Sequence, residues 1–316
     1  MTSIGDPNDH GWNLRSRIFV AGHAGLIGGA LLRALAARGY SNVITADRGD
    51  LDLTNQRAVE EFFERAQPQY VVLAAGRCAS AFEESQFPAD IIRDLLMIQA
   101  NVIDSAYCFG VRKLLLLTSA GALSIEAAGN AGGSPTRRLT DVAKAAGLRM
   151  SAAYRQQFGF RAAVVVLPAI YGPQDRFSAN RPDSVSGYMQ ALSAAQLRGE
   201  PTLCLPGDPQ ASVGLLHADD AADALILLLE DDAREEIAFV PPSETIKLMD
   251  LGRKIAKVVQ YEGHVEFDGS CYGAVPTGDE CSGHLRARGW RPLIPLDQGL
   301  SATYAWFIAN QSRLRL

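Results

Sequence analysis

Ile18-Phe-Val-Ala21-Gly22-His-Ala-Gly25-Leu-Ile-Gly28 is the stretch that decides the fold. Apolar residues run straight into three glycines spaced three apart. A helical apolar pattern then runs over 26–38 until Gly39 stops it. Strand, tight turn and helix in that order suit a dinucleotide. The first glycine makes the turn, the second lets backbone approach a pyrophosphate, and the third lets helix pack on strand. The helix start offers unpaired N–H groups to phosphate oxygens. Gly22, Gly25, Leu26, Ile27 and Gly28 are therefore the expected phosphate contacts. A second strand over 43–46 ends just before Asp47-Arg48. An acid about twenty positions beyond the glycines bonds both ribose hydroxyls and repels a 2′-phosphate, which favours NAD. Arg48 beside it would accept that phosphate, so NADP is the alternative. Asp52, followed by Leu53, stands where an acid reaches an adenine amine.

The same alternation extends outward. Strands are expected over 17–21, 43–46, 70–74, 113–117 and 162–167, with helices over 26–38, 55–66, 91–109 and 140–158. Repeated strand–helix units with uniformly apolar strands imply a parallel sheet covered on both faces. The expected fold class is α/β, a Rossmann-type doubly wound parallel sheet over 17–170, with parts of 211–240 returning to it. Beyond Tyr171 the pattern changes to a Gly-, Pro- and Asn-rich loop over 172–181. Helices near 185–198, 221–230, 246–259 and 297–310 follow, with short strands near 238–240 and 265–267. Residues 171–210 and 241–316 then read as a smaller mixed α/β substrate lobe. Residues 1–16 read as irregular or disordered, and 129–134 as a flexible loop.

Composition narrows the class further. The chain has 316 residues, 47% hydrophobic and 21% charged, with a net charge of −5. This is a globular composition, ample for a large core. The acidic balance makes nucleic acid and anionic membranes poor partners. The longest apolar run, 162–170, is about half a membrane span. No apolar leader is present among the first sixteen residues, so the cytoplasm is the expected compartment. The five cysteines are odd in number and contain no C-x-x-C pair, which suits reduced thiols. His264, Cys271, Cys281 and His284 lie close in sequence, but they read better as a loop than as zinc ligands, and no metal is expected.

Several segments together carry a family resemblance. Gly22-x-x-Gly25-x-x-Gly28, Asp52-Leu53, Leu73-Ala-Ala75, Ser119 and Tyr171-Gly-Pro173 resemble the extended short-chain dehydrogenases/reductases. Met97-Ile-Gln-Ala-Asn-Val-Ile103, Lys113-Leu-Leu-Leu-Leu-Thr-Ser119, Leu216-His-Ala-Asp-Asp220 and Thr303-Tyr-Ala-Trp-Phe307 look like segments of the GDP-L-fucose synthases within them. The likeness runs from about residue 17 to residue 311. It implies NAD(P)-dependent chemistry on a nucleotide sugar, as reductase, dehydrogenase, dehydratase or epimerase. It also places Ala74, Ala75, Pro168 and Lys144 at the cofactor. The family usually dimerises through the helices matching 91–109 and 140–158, so a homodimer is implied, and Leu95, Leu96, Ile98 and Val102 allow it.

The chain departs from that family on one side of the site. Ser119 matches the family's serine and Lys144 the lysine of its Tyr-x-x-x-Lys helix, but Thr140 stands where the tyrosine belongs. None of the nine tyrosines has a lysine four residues later. The family's epimerising cysteine falls at Gly121, and its histidine at Ser184 or Asp183. Its asparagine falls at Ala169, and its guanine-nucleotide tryptophan and arginine near Leu205 and Val213. A phenol's pKa is about 10, whereas an alkanol lies nearer water's ~15.7. Thr140 is thus a hydrogen-bond donor but a poor general acid. Lys144, a bound water or Asp183 is expected to take that role, unless Lys144 only holds the ribose. Two classes follow: a nucleotide-sugar enzyme with atypical acid/base residues, or a dinucleotide-binding pseudoenzyme without hydride transfer.

Overall fold

Residues along the strands of the main sheet alternate between two covered faces, which is why the strands are predominantly apolar. The computed structural model describes residues 12–76, 81–128, 138–178, 182–231, 236–270 and 283–312. In chain order the first half comprises β1 (Ile18–Ala21), α1 (Leu26–Ala37), β2 (Val43–Ile44), α2 (Gln56–Ala66), β3 (Tyr70–Leu73), α3 (Ala81–Gln86), α4 (Pro88–Cys108), β4 (Lys113–Ser119), α5 (Ala120–Ala128), α6 (Leu139–Phe158) and β5 (Ala162–Leu167). The second half comprises β6 (Ala169–Tyr171), α7 (Val185–Arg198), β7 (Thr202–Leu205), β8 (Ser212–His217), α8 (Ala218–Glu230), β9 (Ile237–Phe239), β10 (Glu244–Lys247), α9 (Leu248–Val259), β11 (His264–Phe267), α10 (Gly283–Ala287) and α11 (Leu296–Asn310).

Six strands form one parallel sheet in the order β2-β1-β3-β4-β5-β9. Ile18 and Val20 face a core shared with α1 and α8, while Phe19 and Ala21 face one shared with α2, α4 and α6. Helices thus cover both faces, as a doubly wound fold requires. The order reverses between β1 and β3, and in doubly wound sheets such a switch point is where ligands bind, outside the carboxyl ends of the strands. Gly22, Ala74 and Pro168 follow the ends of β1, β3 and β5, and Ser119 is the last residue of β4.

After Pro168 the chain leaves this sheet. β6 pairs with β8 in parallel, β8 pairs with β10 antiparallel, and β7 pairs with β11. A separate core containing Tyr171, Phe177, Met189, Leu192, Leu300 and Phe307 lies among them. α8 then packs back onto α1, and β9 joins the edge of the main sheet. Arg33 of α1 binds Asp219 at 2.7 Å and Gln174 at 2.9 Å, tying α8 and the loop after β6 to the first helix.

Several boundaries differ from the sequence expectation. The helix expected over 246–259 divides, because Glu244–Lys247 pairs with the edge of β8 and the helix starts only at Leu248. α8 begins at Ala218 rather than 221, since the His217 Nδ1 accepts the Asp219 N–H at 3.2 Å and caps the helix. α4 begins at Pro88, a proline at the first turn. The small residues of α5 carry no amphipathic pattern, so the sequence did not announce that helix. Residues 12–16 form no helix or strand, yet Trp12 packs on Tyr40 and Tyr70 and donates to the Tyr40 hydroxyl at 2.5 Å. Residues 1–11 and the expected loop over 129–134 lie outside the described residues.

Candidate active site

The glycine turn has the geometry its spacing requires. Gly22 has φ +90°, and a Cβ there would stand 2.5 Å from the Ala75 nitrogen, so the turn sits directly on the end of β3. A Cβ on Gly28 would overlap the Gly22 carbonyl and lie 2.7 Å from the His23 Cα. Gly25 differs: its φ is −80°, and a Cβ would only approach the Gly22 oxygen at 3.3 Å. Gly25 is also the N-cap of α1, and no side chain caps that helix. Among the described residues, the first-turn N–H groups of Leu26 and Ile27 have no hydrogen-bond acceptor. This cradle of backbone donors fits a dinucleotide pyrophosphate.

Beside it, Asp47 follows β2 with its side chain 76% exposed, and its carboxylate lies 3.3 Å from the His23 Nε2 within the glycine turn. Arg48 is exposed next to it. Asp52 accepts the Thr54 hydroxyl at 2.7 Å and the Thr54 N–H at 2.9 Å, and these bonds hold its pKa below the usual carboxylate value. The Leu53 carbonyl accepts from the Asn101 amide at 2.9 Å, which anchors this loop to α4.

Around Ser119 and the start of α6, hydrogen bonds join residues that lie far apart in the sequence. The Thr140 hydroxyl donates to Glu84 Oε1 at 2.7 Å, and Glu84 also accepts the Leu139 N–H at 3.1 Å. Glu84 of α3 therefore caps the start of α6, and Thr140 is committed to that cap. Asp183 pairs with Arg138 at 3.7 Å, and Arg138 also lies 3.5 Å from Glu84. The partner of Ser119 is a residue that the sequence reading missed. Its Oγ donates to Asp141 Oδ1 at 2.8 Å. A Cβ on Gly121 would lie 2.5 Å from Asp141 Oδ2, so the carboxylate occupies the space that a side chain at 121 would fill. Lys144 follows on α6, half-buried, and has no ion-pair partner among the described residues. An acid three residues before that lysine, together with a glycine at 121, was the available sequence signal.

The four residues weighed as zinc ligands are not shown together. His264 is exposed in β11, His284 binds Asp231 at 2.5 Å, and Cys271 and Cys281 lie outside the described residues. Cys108 and Cys204 are free thiols. Among the described residues, no helix is long and apolar enough to cross a membrane.

Comparison with known proteins identifies the family. Residues 18–240 match the NAD dependent epimerase/dehydratase family. The chain is 35% identical to the probable GDP-L-fucose synthase 1 of Oryza sativa subsp. japonica over 303 residues, covering 93% of this chain and 92% of that protein. It is 30% identical to the GDP-L-fucose synthase of Escherichia coli over 318 residues, covering 95% and 99%. Among solved structures, a GDP-mannoheptose C4 reductase from Campylobacter jejuni with NADP bound superposes with a TM-score of 0.78 at 26% identity, covering 94% and 100%. A GDP-L-fucose synthetase from Naegleria fowleri bound to NADP gives 0.83 at 19% identity, covering 97% of each chain, a likeness of fold. With its glycine cradle at the sheet's switch point and full-length similarity to GDP-L-fucose synthases, the chain belongs to the NAD dependent epimerase/dehydratase family, as an extended short-chain dehydrogenase/reductase that uses a nicotinamide dinucleotide.

Proposed function

We propose that this chain interconverts keto and hydroxyl groups on a nucleotide sugar, with the dinucleotide on the glycine turn and the sugar against Ser119. The observation that carries this reading is the convergence of Gly22–Gly28, Ala74, Ala75, Ser119 and Pro168 on one carboxyl edge of the sheet. When bound, the nicotinamide supplies or removes a hydride at the sugar carbon. The chain's own residues then orient the sugar oxygen through the Ser119 hydroxyl, and Lys144 stands by for the ribose. Residues 171–210 and 241–316 form the lobe that selects the sugar nucleotide. The pseudoenzyme reading is not favoured, because family membership and an occupied position beside Ser119 both point to retained chemistry. Nicotinamide absorbance during single turnover with a GDP-linked 4-keto hexose tests the assignment. Cofactor oxidation supports it, and tight dinucleotide binding without any absorbance change contradicts it.

NAD is the preferred cofactor in this reading, because an exposed carboxylate at Asp47 suits ribose hydroxyls and opposes a 2′-phosphate. Calorimetric titration should show NAD(H) binding tighter than NADP(H), with Asp47→Ala narrowing the gap. Tighter NADP(H) binding by the unmodified protein would assign the ribose to Arg48. The chain acts as a homodimer through α4 and α6. Leu95 and Val102 are buried within the chain, whereas Leu96 and Met97 on α4 and Val142 and Phe158 on α6 are exposed apolar residues. Light scattering at micromolar concentration checks this, and a monomer would contradict it.

A further inference from the structure

Ser119 and Asp141 form a hydrogen-bonded pair between the end of β4 and the first turn of α6. Asp141 does not cap α6, since Glu84 takes the N–H groups of Leu139 and Thr140. Asp141 Oδ1 accepts from Ser119 at 2.8 Å, and among the described residues that is the only side-chain partner of its carboxylate. Its Oδ2 is turned toward Gly121, where any side chain would collide with it. Lys144 lies about one turn further along the same helix without an ion-pair partner among the described residues. Ser119, Gly121 and Asp141 meet at the end of β4, a neighbour of β3 in the parallel sheet whose β1 leads into the glycine turn.

We propose that Asp141 is the proton-transferring residue of this chain, acting on the substrate oxygen through the Ser119 hydroxyl. The proposal rests on the keto–hydroxyl reading above. With the carboxylate ionised, Ser119 donates to Asp141 and its oxygen is left to accept from a substrate hydroxyl. With the carboxyl protonated, the bond reverses: Asp141 donates to Ser119, whose hydroxyl then donates to a substrate carbonyl. In the reducing direction the carbonyl carbon receives a hydride from the dihydronicotinamide. The carbonyl π pair moves to oxygen, which takes the Ser119 proton. Ser119 takes the Asp141 proton, and the carboxylate is reprotonated from water. Oxidation runs the same transfers backwards. Gly121 completes the device by leaving the carboxylate room to sit against the serine.

The test compares the unmodified protein with Asp141→Asn and Asp141→Ala, using GDP-L-fucose with NAD+ and NADP+ in parallel. Asn keeps the shape and removes the proton exchange, so kcat should fall about 10²–10⁴-fold, while calorimetric dinucleotide affinity stays within about twofold. Formate should restore turnover of the Ala variant in a saturable manner and should not rescue the Asn variant, whose amide fills the site. A residue that merely held Ser119 in place would show no formate rescue. An Asn variant within threefold of the unmodified rate, or a folded Ala variant that formate leaves inactive, overturns the proposal. A second readout needs no turnover. In protein labelled with 13C at aspartate carboxyls, the signal missing from Asp141→Asn should move when the dinucleotide binds, and a stationary signal at saturation overturns the proposal. If the unmodified protein leaves GDP-L-fucose untouched, the nucleotide-sugar reading fails separately, and the carboxyl signal decides for or against Asp141.

Discussion

The three glycines of the turn are not interchangeable, and their environments predict different costs. A methyl group at 28 meets backbone of the turn itself, which cannot swing aside, so Gly28→Ala should destabilise the fold by about 1–3 kcal/mol. A methyl group at 25 meets only one oxygen at 3.3 Å and suits the backbone angles. Gly25→Ala should therefore change stability by less than about 0.5 kcal/mol while weakening dinucleotide binding, because the methyl projects where the pyrophosphate approaches. Urea unfolding and calorimetry separate the two. Equal destabilisation by both would contradict a binding role for Gly25. The acid/base side was less legible at this scale. The sequence puts Thr140 at the position of the family's tyrosine; in the structure its hydroxyl is turned to Glu84, and its neighbour Asp141 takes the serine. Which of two adjacent helical residues faces a strand end depends on the rotation of α6. Local sequence does not encode that rotation; the Glu84 clasp and the packing of α6 on the sheet set it.

At the scale of elements, helix starts carry the most function. α1 opens without a side-chain cap, which leaves its donors for a ligand, whereas α6 and α8 are closed by Glu84 and His217. His217 is buried, and burial lowers its pKa, although Asp219 and Asp220 pull the other way and Arg33 adds to the lowering. Its neutral Nδ1 accepts the Asp219 N–H, so protonation removes the cap. The folded state binds this proton less readily than the unfolded chain, whose histidines titrate near pH ~6.5. The resulting stability is present above that pH and is lost as pH falls toward the lowered folded value. His217→Asn keeps a capping oxygen without the titration. Thermal unfolding of that variant should depend less on pH below ~6.5 than that of the unmodified protein, and identical profiles would contradict the capping account. This cap was not legible in advance, since a histidine at the end of a strand announces neither burial nor tautomer. The parallel strands were legible, because apolar runs such as Lys113–Ser119 and Ala162–Leu167 have nowhere to go except a sheet covered on both faces.

Across the whole molecule, the sheet brings residues from distant parts of the sequence to one edge: the glycine turn after β1, Ala74 and Ala75 after β3, Ser119 at the end of β4, and Asp141 from α6. The glycine turn follows from spacing alone, since strand, turn and helix are contiguous in sequence, whereas the resemblance, not spacing, singles out Ala74, Ala75 and Pro168. The reacting half depends on long-range packing, and it is there that Gly121 and Asp141 complement each other. In the proposed mechanism one dinucleotide spans both halves, with its pyrophosphate on the glycine turn and its nicotinamide against Ser119 and Asp141. A crystal structure of the protein with NAD+ or NADP+ bound tests this most directly. Phosphate oxygens should lie on the N–H groups that open α1, and the nicotinamide ring within contact of the Ser119–Asp141 pair. A dinucleotide bound away from the glycine turn, or a nicotinamide ring directed away from that pair, would contradict it.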